Sequence, residues 1–262
     1  MDSRFKADYD RDGYVIARGM FTQDEVEALC ANFDALYALG SVPGCFEIAA
    51  EAEQAGDPLR RYPRMMHPHR VNALAMQYMT HPRIAAALHI LLEEEAVAAQ
   101  SMFYWKPPGA RGQALHQDNF YLKVHPGTCI AAWVALDPAD RENGGLVVVP
   151  GSHTLDVACP EKADLSVSFS EHFVRPPAHL QEEPVDLAPG DCLFFGGSVI
   201  HGSYPNSSTD RFRRAFICHY LGESARELSH WYFPLHAMDG EIVTRAATND
   251  GGPCGIEAKA PH

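Results

Sequence analysis

The chain has 262 residues, and its 34 acidic side chains outnumber its 21 basic ones, which gives a formal net charge of −13. A surface this negative repels the phosphates of nucleic acids and of anionic membranes, so neither is expected as a partner. The length allows one large hydrophobic core, and we predict a single domain that binds a small-molecule substrate. No feature of the sequence indicates an oligomeric state.

The N-terminal residues are polar and contain no apolar segment typical of a secretory leader. No apolar run is long enough to cross a bilayer, so a cytoplasmic location is expected. Seven scattered cysteines without a Cys-x-x-Cys pair predict reduced thiols rather than a disulfide framework or a zinc ribbon. Cys129, Cys192 and Cys218 lie in strand-like runs and are expected to be small buried hydrophobes.

Helices are predicted in the first third of the chain. Thr22-Gln23-Asp24-Glu25 forms a capping box, and apolar residues recur after it at helical spacing, which predicts a helix over 23–39. A second periodic stretch covers 71–79, and a third begins near His81-Pro82 and continues to Leu92. These helices are expected to support a sheet.

From residue 100 onward the pattern changes to short β-like runs separated by turns that contain glycine and proline. The runs cover 101–106, 115–122, 129–136, 146–149, 192–195 and 213–221. Turns such as Asn143-Gly144-Gly145 and Pro189-Gly190-Asp191 at short intervals are typical of an antiparallel jelly roll.

The predicted fold is therefore mainly β with helical additions. A mostly helical part covers 1–95, a jelly-roll core covers 96–222 and a C-terminal extension covers 223–262, all within one domain over 1–262. A polar segment over 154–183 interrupts the strands of the core. It is long enough to be a lid or binding loop, where substrate contacts are expected.

One group of residues points to metal chemistry. In an extended strand alternate side chains share a face, so His116 and Asp118 are expected to point at one metal, which the distant His201 would complete. Two imidazoles and one carboxylate on one face of an octahedron leave three open positions, the pattern of non-haem Fe(II) oxygenases. Alone, the pattern is weak in a chain with 14 histidines and 34 acidic residues.

Further motifs add to this pattern, and with them the chain resembles the phytanoyl-CoA dioxygenase family of Fe(II)/2-oxoglutarate-dependent oxygenases over most of its length. The matching blocks are DRDGYV at 10–15, WKPP at 105–108, HQDNFY at 116–121, WVALD at 133–137, ENGGL at 142–146, PGSH at 150–153, PGD at 189–191, HGS at 201–203 and FRRA at 212–215. Nine ordered blocks are far more specific than the three candidate ligands.

The resemblance implies a double-stranded β-helix core, with one Fe(II), 2-oxoglutarate as co-substrate and O2. It implies that His116, Asp118 and His201 bind iron and that Arg213 holds the distal carboxylate of 2-oxoglutarate, since an arginine fork fits a carboxylate. The competing Arg214 would face the other way on a strand.

Three further residues match positions that line the co-substrate pocket in this family. Ser203 is placed to donate a hydrogen bond to the same carboxylate as Arg213. Lys106 would contribute charge and Trp133 would contribute packing, although an aromatic residue in an apolar strand is equally well explained as part of the core.

Other polar residues are assigned non-ligand roles. Gln117 and Asn119 are expected to form hydrogen bonds beside the site. His219 shares a strand face with Arg213 and is interpreted as a hydrogen-bonded core imidazole. Three other histidines are also left out of the ligand set: His125, His153 and His230.

The resemblance also implies the chemistry, which couples decarboxylation of 2-oxoglutarate to substrate oxidation and releases succinate and CO2. Hydroxylation of a C–H bond in a small metabolite or natural-product intermediate is the expected reaction. Oxidative cyclisation, desaturation and epoxidation use the same ligands and stay open. Asp118 argues against halogenation, because halogenases lack the carboxylate ligand.

A different class stays open as well, a cupin-like protein that binds metal without catalysis. Such a protein would not need Arg213 or Ser203. The sequence also leaves open the role of a local basic cluster, which either recognises an anionic substrate group or is a solvated surface. Its members are Arg60, Arg61, Arg64, His67, His69 and Arg70.

Overall fold

The computed structural model describes residues 4–54 and 56–248. Its α-helices are α1 Arg4–Asp12, α2 Gln23–Ala38, α3 Pro58–Arg61, α4 Ala73–Met79, α5 Pro82–Leu92 and α6 Asn119–Leu122. Short 3-10 helices lie at Glu51–Glu53, Pro68–Arg70, Ser152–Thr154 and His230–Tyr232. The three predicted helices correspond to α2, α4 and α5, and the capping box from Thr22 to Glu25 is present.

The strands form two large antiparallel sheets and two separate pairs. They are β1 Tyr14–Ala17, β2 Met65–Met66, β3 Ala96–Tyr104, β4 Gln113–His116, β5 Ile130–Ala135, β6 Leu146–Val148, β7 Glu161–Lys162, β8 His172–Phe173, β9 Glu183–Val185, β10 Cys192–Gly196, β11 His201–Ser203, β12 Ala215–Gly222, β13 Glu227–Ser229, β14 Leu235–Ala237, β15 Ile242–Val243 and β16 Ala246–Thr248. The major sheet has the order β1-β10-β5-β12-β3-β14-β15, and β2 also pairs with β3. The minor sheet has the order β4-β11-β6-β9. The separate pairs are antiparallel β7-β8 and parallel β13-β16.

The two sheets pack face to face. Alternating side chains point inward from each, so apolar residues of both sheets meet in one cluster. Its members include Met102, Trp133, Leu146, Val148, Phe195 and Ile217. The predicted mainly β jelly roll with helical additions is confirmed.

The helices cover the outer face of the major sheet. From α2, the fully buried Phe33 stacks on Phe103 of β3 with ring centroids 4.1 Å apart. Leu29 of α2 and Leu88 of α5 belong to the same cluster. The helices leave the inner face of the sheet free to form the site.

The predicted strand over 115–122 is wrong in its second half. β4 ends at His116, and Asp118 has the helical angles φ −62° and ψ −35° before α6 begins. The side chain of Asn119 accepts a hydrogen bond from the backbone N–H of Val124 at 2.9 Å, a local bond that competes with strand pairing. His116 and Asp118 therefore do not share a strand face, contrary to the prediction.

Other strand limits differ by smaller shifts. The run over 101–106 is the end of the longer β3, and the run over 213–221 begins only at Ala215. Arg213 and Arg214 therefore precede β12. Their side chains still point to different environments.

Residues 154–183, called the insert below, cover the minor sheet. Phe173 and Val174 pack with Leu115 on the outer face of this sheet. At its edge, the N–H of Gly112 donates to Val167 O, and the N–H of Phe169 donates to Gly112 O. The insert therefore continues the hydrogen bonding of β4, the strand that carries His116.

Within the described residues, five cysteines are buried free thiols: Cys30, Cys45, Cys129, Cys192 and Cys218. Cys159 is disulfide-bonded, so the expectation of reduced thiols is wrong there, because spacing along the chain does not report which residues meet in space. No helix of the described ranges is both long and apolar enough to cross a membrane. The predicted C-terminal extension contains β13 to β16, and its residues 249–262 lie outside the described part.

Candidate active site

Two histidines face each other across the minor sheet. His116 is the last residue of β4 and His201 the first of β11, and the two are directly paired in the antiparallel register. Their ring centroids are 4.3 Å apart. Asp118 follows on the turn after β4, and its Oδ1 lies 3.4 Å from Nε2 of His116 and 3.6 Å from Nε2 of His201. One ligand atom from each residue lies within 4.8 Å of the others, close enough to hold one metal ion.

Hydrogen bonds orient both imidazoles. Nδ1 of His116 lies 2.8 Å from the carbonyl oxygen of Ala114, and Nδ1 of His201 lies 3.0 Å from that of Val199. Since a carbonyl only accepts, each Nδ1 carries the proton and each Nε2 is left to bind a metal. Burial lowers the pKa of His201 to about 4, so its ring is neutral at pH 7, as a metal ligand must be.

A third histidine holds the carboxylate. Nε2 of His219, on β12 of the major sheet, lies 3.0 Å from Oδ2 of Asp118. A carboxylate only accepts hydrogen bonds, so His219 donates. The second oxygen, Oδ1, faces the other two imidazoles.

A buried cation lies at the other end of the same cavity. The guanidinium of Arg213 is fully enclosed, its Nε donates to Gly144 O at 3.0 Å, and its Cζ lies 5.1 Å from the ring centroid of Trp133. Its Nη1 has no hydrogen-bond partner within the described residues. Burial lowers the pKa of Arg213 to about 10, so the group is still charged at pH 7. An enclosed charged donor with an open N–H fits a bound carboxylate.

Lys106 and Ser203 lie beside Arg213. Nζ of Lys106 donates to Oγ of Ser203 at 2.8 Å, and burial together with the charge of Arg213 holds the pKa of Lys106 well below its usual range. Ser203, Arg213 and Trp133 line the cavity that also contains the three candidate ligands, whereas Lys106 stands behind Ser203. All seven predicted site residues are therefore brought together.

A family model described as phytanoyl-CoA dioxygenase (PhyH) matches residues 9–215, most of the chain. The chain belongs to the phytanoyl-CoA dioxygenase family. It is a non-haem iron dioxygenase with Fe(II) as cofactor and 2-oxoglutarate and O2 as co-substrates. The residues present fit these groups, because the metal-sized cluster and the open guanidinium donor share one cavity.

Individual relatives and solved structures share only a minority of their residues with this chain. The chain is 27% identical over 237 residues to peroxisomal phytanoyl-CoA dioxygenase of Rattus norvegicus. The aligned region covers 84% of this chain and 68% of that protein. It spans 66% of the Mus musculus enzyme and 57% of phytanoyl-CoA dioxygenase 1 of Oryza sativa. Among solved structures, the α-ketoglutarate-dependent epimerase SnoN from nogalamycin biosynthesis is 25% identical, with a TM-score of 0.65 and coverage of 85% of this chain and 83% of that one. The carbocyclase SnoK, at 20% identity and a TM-score of 0.70 over 100% and 93% of the chains, shows the shared fold alone.

In this member of the phytanoyl-CoA dioxygenase family, the two adjacent arginines lie in different environments. Arg214 lies outside the cavity, where Nε and Nη2 donate to the two oxygens of Asp137 at 2.9 and 2.8 Å. Its charge is already matched by a carboxylate. Arg213 alone of the pair lines the cavity.

Gly202 allows the two ligand-bearing strands to approach. A Cβ at this position would lie 2.7 Å from Gln113 O of β4, closer than real Cβ contacts occur. The register of β11 against β4 shifts between His201 and Ser203. His201 can therefore face His116 while Ser203 meets Lys106.

The side chain of Gln117 joins the turn after His116 to its surroundings. Its Nε2 donates to Ser198 O at 2.8 Å, and its Oε1 accepts from the N–H of Ala158 in the insert at 2.8 Å. Its predicted hydrogen-bonding role is confirmed, as is that of Asn119. The other histidines excluded from the ligand set, at 125, 153 and 230, do not line the cavity.

Sequence reasoning missed the contact between His219 and Asp118. The only indication was the alternation of side chains along β12, which points the ring of His219 to the same side as Ile217. Gln113 was also missed, and its Nε2 lies 3.2 Å from Nε2 of His116. Neither contact can be read from spacing, because each depends on how the strands meet.

His219 provides a test of how Asp118 is held. Replacing His219 with alanine should weaken Fe(II) binding by about 10- to 100-fold, since partners that orient metal ligands typically contribute that much. His219→Gln is the matched control, because its amide N–H can replace the donor and should restore most of the affinity. Fe(II) dissociation constants, measured anaerobically, test both. Equal affinity in wild type and His219→Ala would exclude the positioning role.

Proposed function

We propose that this enzyme hydroxylates an unactivated C–H bond of a small metabolite or natural-product intermediate, with release of succinate and CO2. The proposal depends most on Arg213, whose charged and enclosed guanidinium has an open N–H in the same cavity as the candidate metal ligands. A cupin-like protein that only binds metal would have no use for such a group.

In this proposal His116, Asp118 and His201 bind Fe(II), and Arg213 and Ser203 bind the distal carboxylate of 2-oxoglutarate. Lys106 orients Ser203 through its Nζ–Oγ hydrogen bond. When bound, the iron and 2-oxoglutarate together supply the oxidative decarboxylation of 2-oxoglutarate by O2. The chain's own contribution is to fix geometry in an enclosed cavity from which bulk water is excluded.

The substrate is proposed to be small rather than an acyl-CoA. The net charge of −13 disfavours attraction of a polyanionic thioester. The relatives named for phytanoyl-CoA are matched over only about two thirds of their length or less.

The visible spectrum of the anaerobic protein tests this function. Addition of Fe(II) and then 2-oxoglutarate should produce a metal-to-ligand charge-transfer band, and succinate release should follow on admission of O2 with a substrate. Iron binding without a band on addition of 2-oxoglutarate would contradict the proposal. The product mass then separates hydroxylation, which adds one oxygen atom, from cyclisation or desaturation, which remove two hydrogens.

A further inference from the structure

The basic cluster over residues 60–70 divides into three parts. Arg60, Arg61 and Arg70 are exposed. His67 and His69 are buried, and burial lowers the pKa of each to about 3, so both are neutral. Only Arg64 is a charged group at intermediate burial.

Arg64 lies next to the candidate active site, in a small neighbouring cavity that it shares with Tyr104 and Arg213. It precedes β2, whose Met66 pairs with Met102 of β3, and its Nη1 lies 3.3 Å from Oη of Tyr104. Tyr104 and Met102 both line the cavity of the candidate iron ligands. Arg64 therefore borders the cavity of the candidate iron ligands through its contact with Tyr104.

The guanidinium of Arg64 is held by aromatic rings and not by acids. Its Cζ lies 5.7 Å from the ring centroid of Tyr104 and 5.0 Å from that of Phe169 in the insert. No carboxylate of the described residues forms an ion pair with it. Stacked rings orient a guanidinium and leave its edge available for an anion, because a planar fork binds carboxylate or phosphate through its edge.

Two buried polar side chains, Gln100 and His67, lie near His219. Gln100 alternates with Met102 and Tyr104 on β3 and pairs in register with His219, the residue that contacts Asp118. Neither amide atom of Gln100 and neither ring nitrogen of His67 has a hydrogen-bond partner in the described part of the chain. Buried polar groups without partners are rare, and each requires water or a ligand.

From this arrangement, and building on the function proposed above, we propose that the substrate is a small polar acid. Its carboxylate or phosphate binds Arg64, and an uncharged hydroxyl, carbonyl or amide group bonds to Gln100 and His67. Arg64 contacts Tyr104 at one end of this part of β3 and Gln100 lies at the other, with Met102 of the cavity between them, so the two anchors would hold the intervening carbon atoms in front of the iron.

The test uses matched probes, since the substrate is not identified. The probes are small hydroxy acids. Each acid is compared with two analogues of the same carbon skeleton, one with a primary amide and one with a phosphate monoester in place of the carboxylate. Binding to the anaerobic protein with Fe(II) and 2-oxoglutarate is measured by calorimetry. At least one acid or phosphate should bind about tenfold or more tightly than its amide, because a hydrogen bond to a charged group is typically worth that much. The acid and phosphate arms show which anion is preferred.

Variants locate the anion. Arg64→Gln should abolish the preference for acid over amide, Arg64→Lys should keep part of it, and Arg60→Gln, an exposed neighbour, should keep all of it. The proposal is overturned if no probe prefers the acid or phosphate form in wild type, or if the preference survives in Arg64→Gln.

Gln100→Leu tests the second anchor, and removal of an unpartnered amide should leave the fold intact. It should weaken binding of hydroxylated acids while leaving the same acids without the hydroxyl unaffected. Equal weakening of binding for acids with and without the hydroxyl would mean that Gln100 binds a water molecule and does not contact the substrate. Absence of the charge-transfer band in wild type would instead reject the proposed function itself, so the two failures are distinguishable.

Discussion

Replacing Arg213 with alanine should weaken binding of 2-oxoglutarate by roughly 100- to 10,000-fold. Two hydrogen bonds from an enclosed guanidinium to a carboxylate contribute about 1.5–3 kcal/mol each, and about 1.4 kcal/mol corresponds to one factor of ten. Fe(II) binding should be nearly unchanged, because Arg213 contacts none of the candidate iron ligands in the described structure. The dissociation constant of 2-oxoglutarate, measured by the charge-transfer band at increasing concentration, gives the result.

Arg214→Gln is the natural control for this experiment. It removes an adjacent arginine whose two hydrogen bonds go to Asp137 outside the cavity. We expect a lower melting temperature but an unchanged affinity for 2-oxoglutarate. If Arg214→Gln weakens 2-oxoglutarate binding as much as Arg213→Ala does, the assignment of Arg213 is wrong.

Replacing Asp118 with alanine should abolish iron-dependent turnover. The change removes the only carboxylate in the candidate ligand set, and its loss should exceed the ~10–100-fold effect typical of residues that merely orient a ligand. Iron content after equilibrium dialysis, the charge-transfer band and succinate release should all fall together. Retention of full turnover would show that another group is the third ligand.

Asp191→Ala is the matched control for loss of a buried carboxylate. Asp191 lies on the turn that precedes β10 and is nearly as buried as Asp118, but its carboxylate accepts hydrogen bonds from the backbone N–H of Gly19 and from Arg18. This variant should lose stability and retain iron. A loss of iron in both variants, in proportion to their loss of stability, would attribute the effect of Asp118→Ala to unfolding.

Much of the fold could be predicted because its signals are local. The capping box at Thr22 and the apolar runs of β5 and β12 act within a few residues of the chain. The turn after His116 was mispredicted because Asn119 replaces strand pairing with bonds to Val124, which a pattern of apolar residues does not record.

The candidate site, too, could be predicted only in part from the sequence. The ligand pattern and the choice between Arg213 and Arg214 followed from motifs, because the strand alternation invoked for both does not apply where β4 ends at His116 and β12 begins at Ala215. The bond from His219 to Asp118 spans 101 positions of sequence, so it depends on the packing of one sheet on the other. The basic cluster could not be divided into exposed, neutral and charged parts for the same reason, since burial is a property of the folded chain.

The insert has a consequence for how this scaffold could change its specificity. Its attachment to β4 uses backbone atoms, with the N–H groups of Phe169 and Val174 donating to Gly112 and Leu115. Such backbone hydrogen bonds do not depend on which side chain a residue carries. The side chains make other contacts: the ring of Phe169 packs on Arg64, and Nδ1 of His172 lies 2.9 Å from Oη of Tyr121. The attachment also shields an edge strand that would otherwise be exposed to pairing with another chain. Substitutions at 169 and 172 can therefore change the surroundings of Arg64 and Tyr121 without exposing this edge strand.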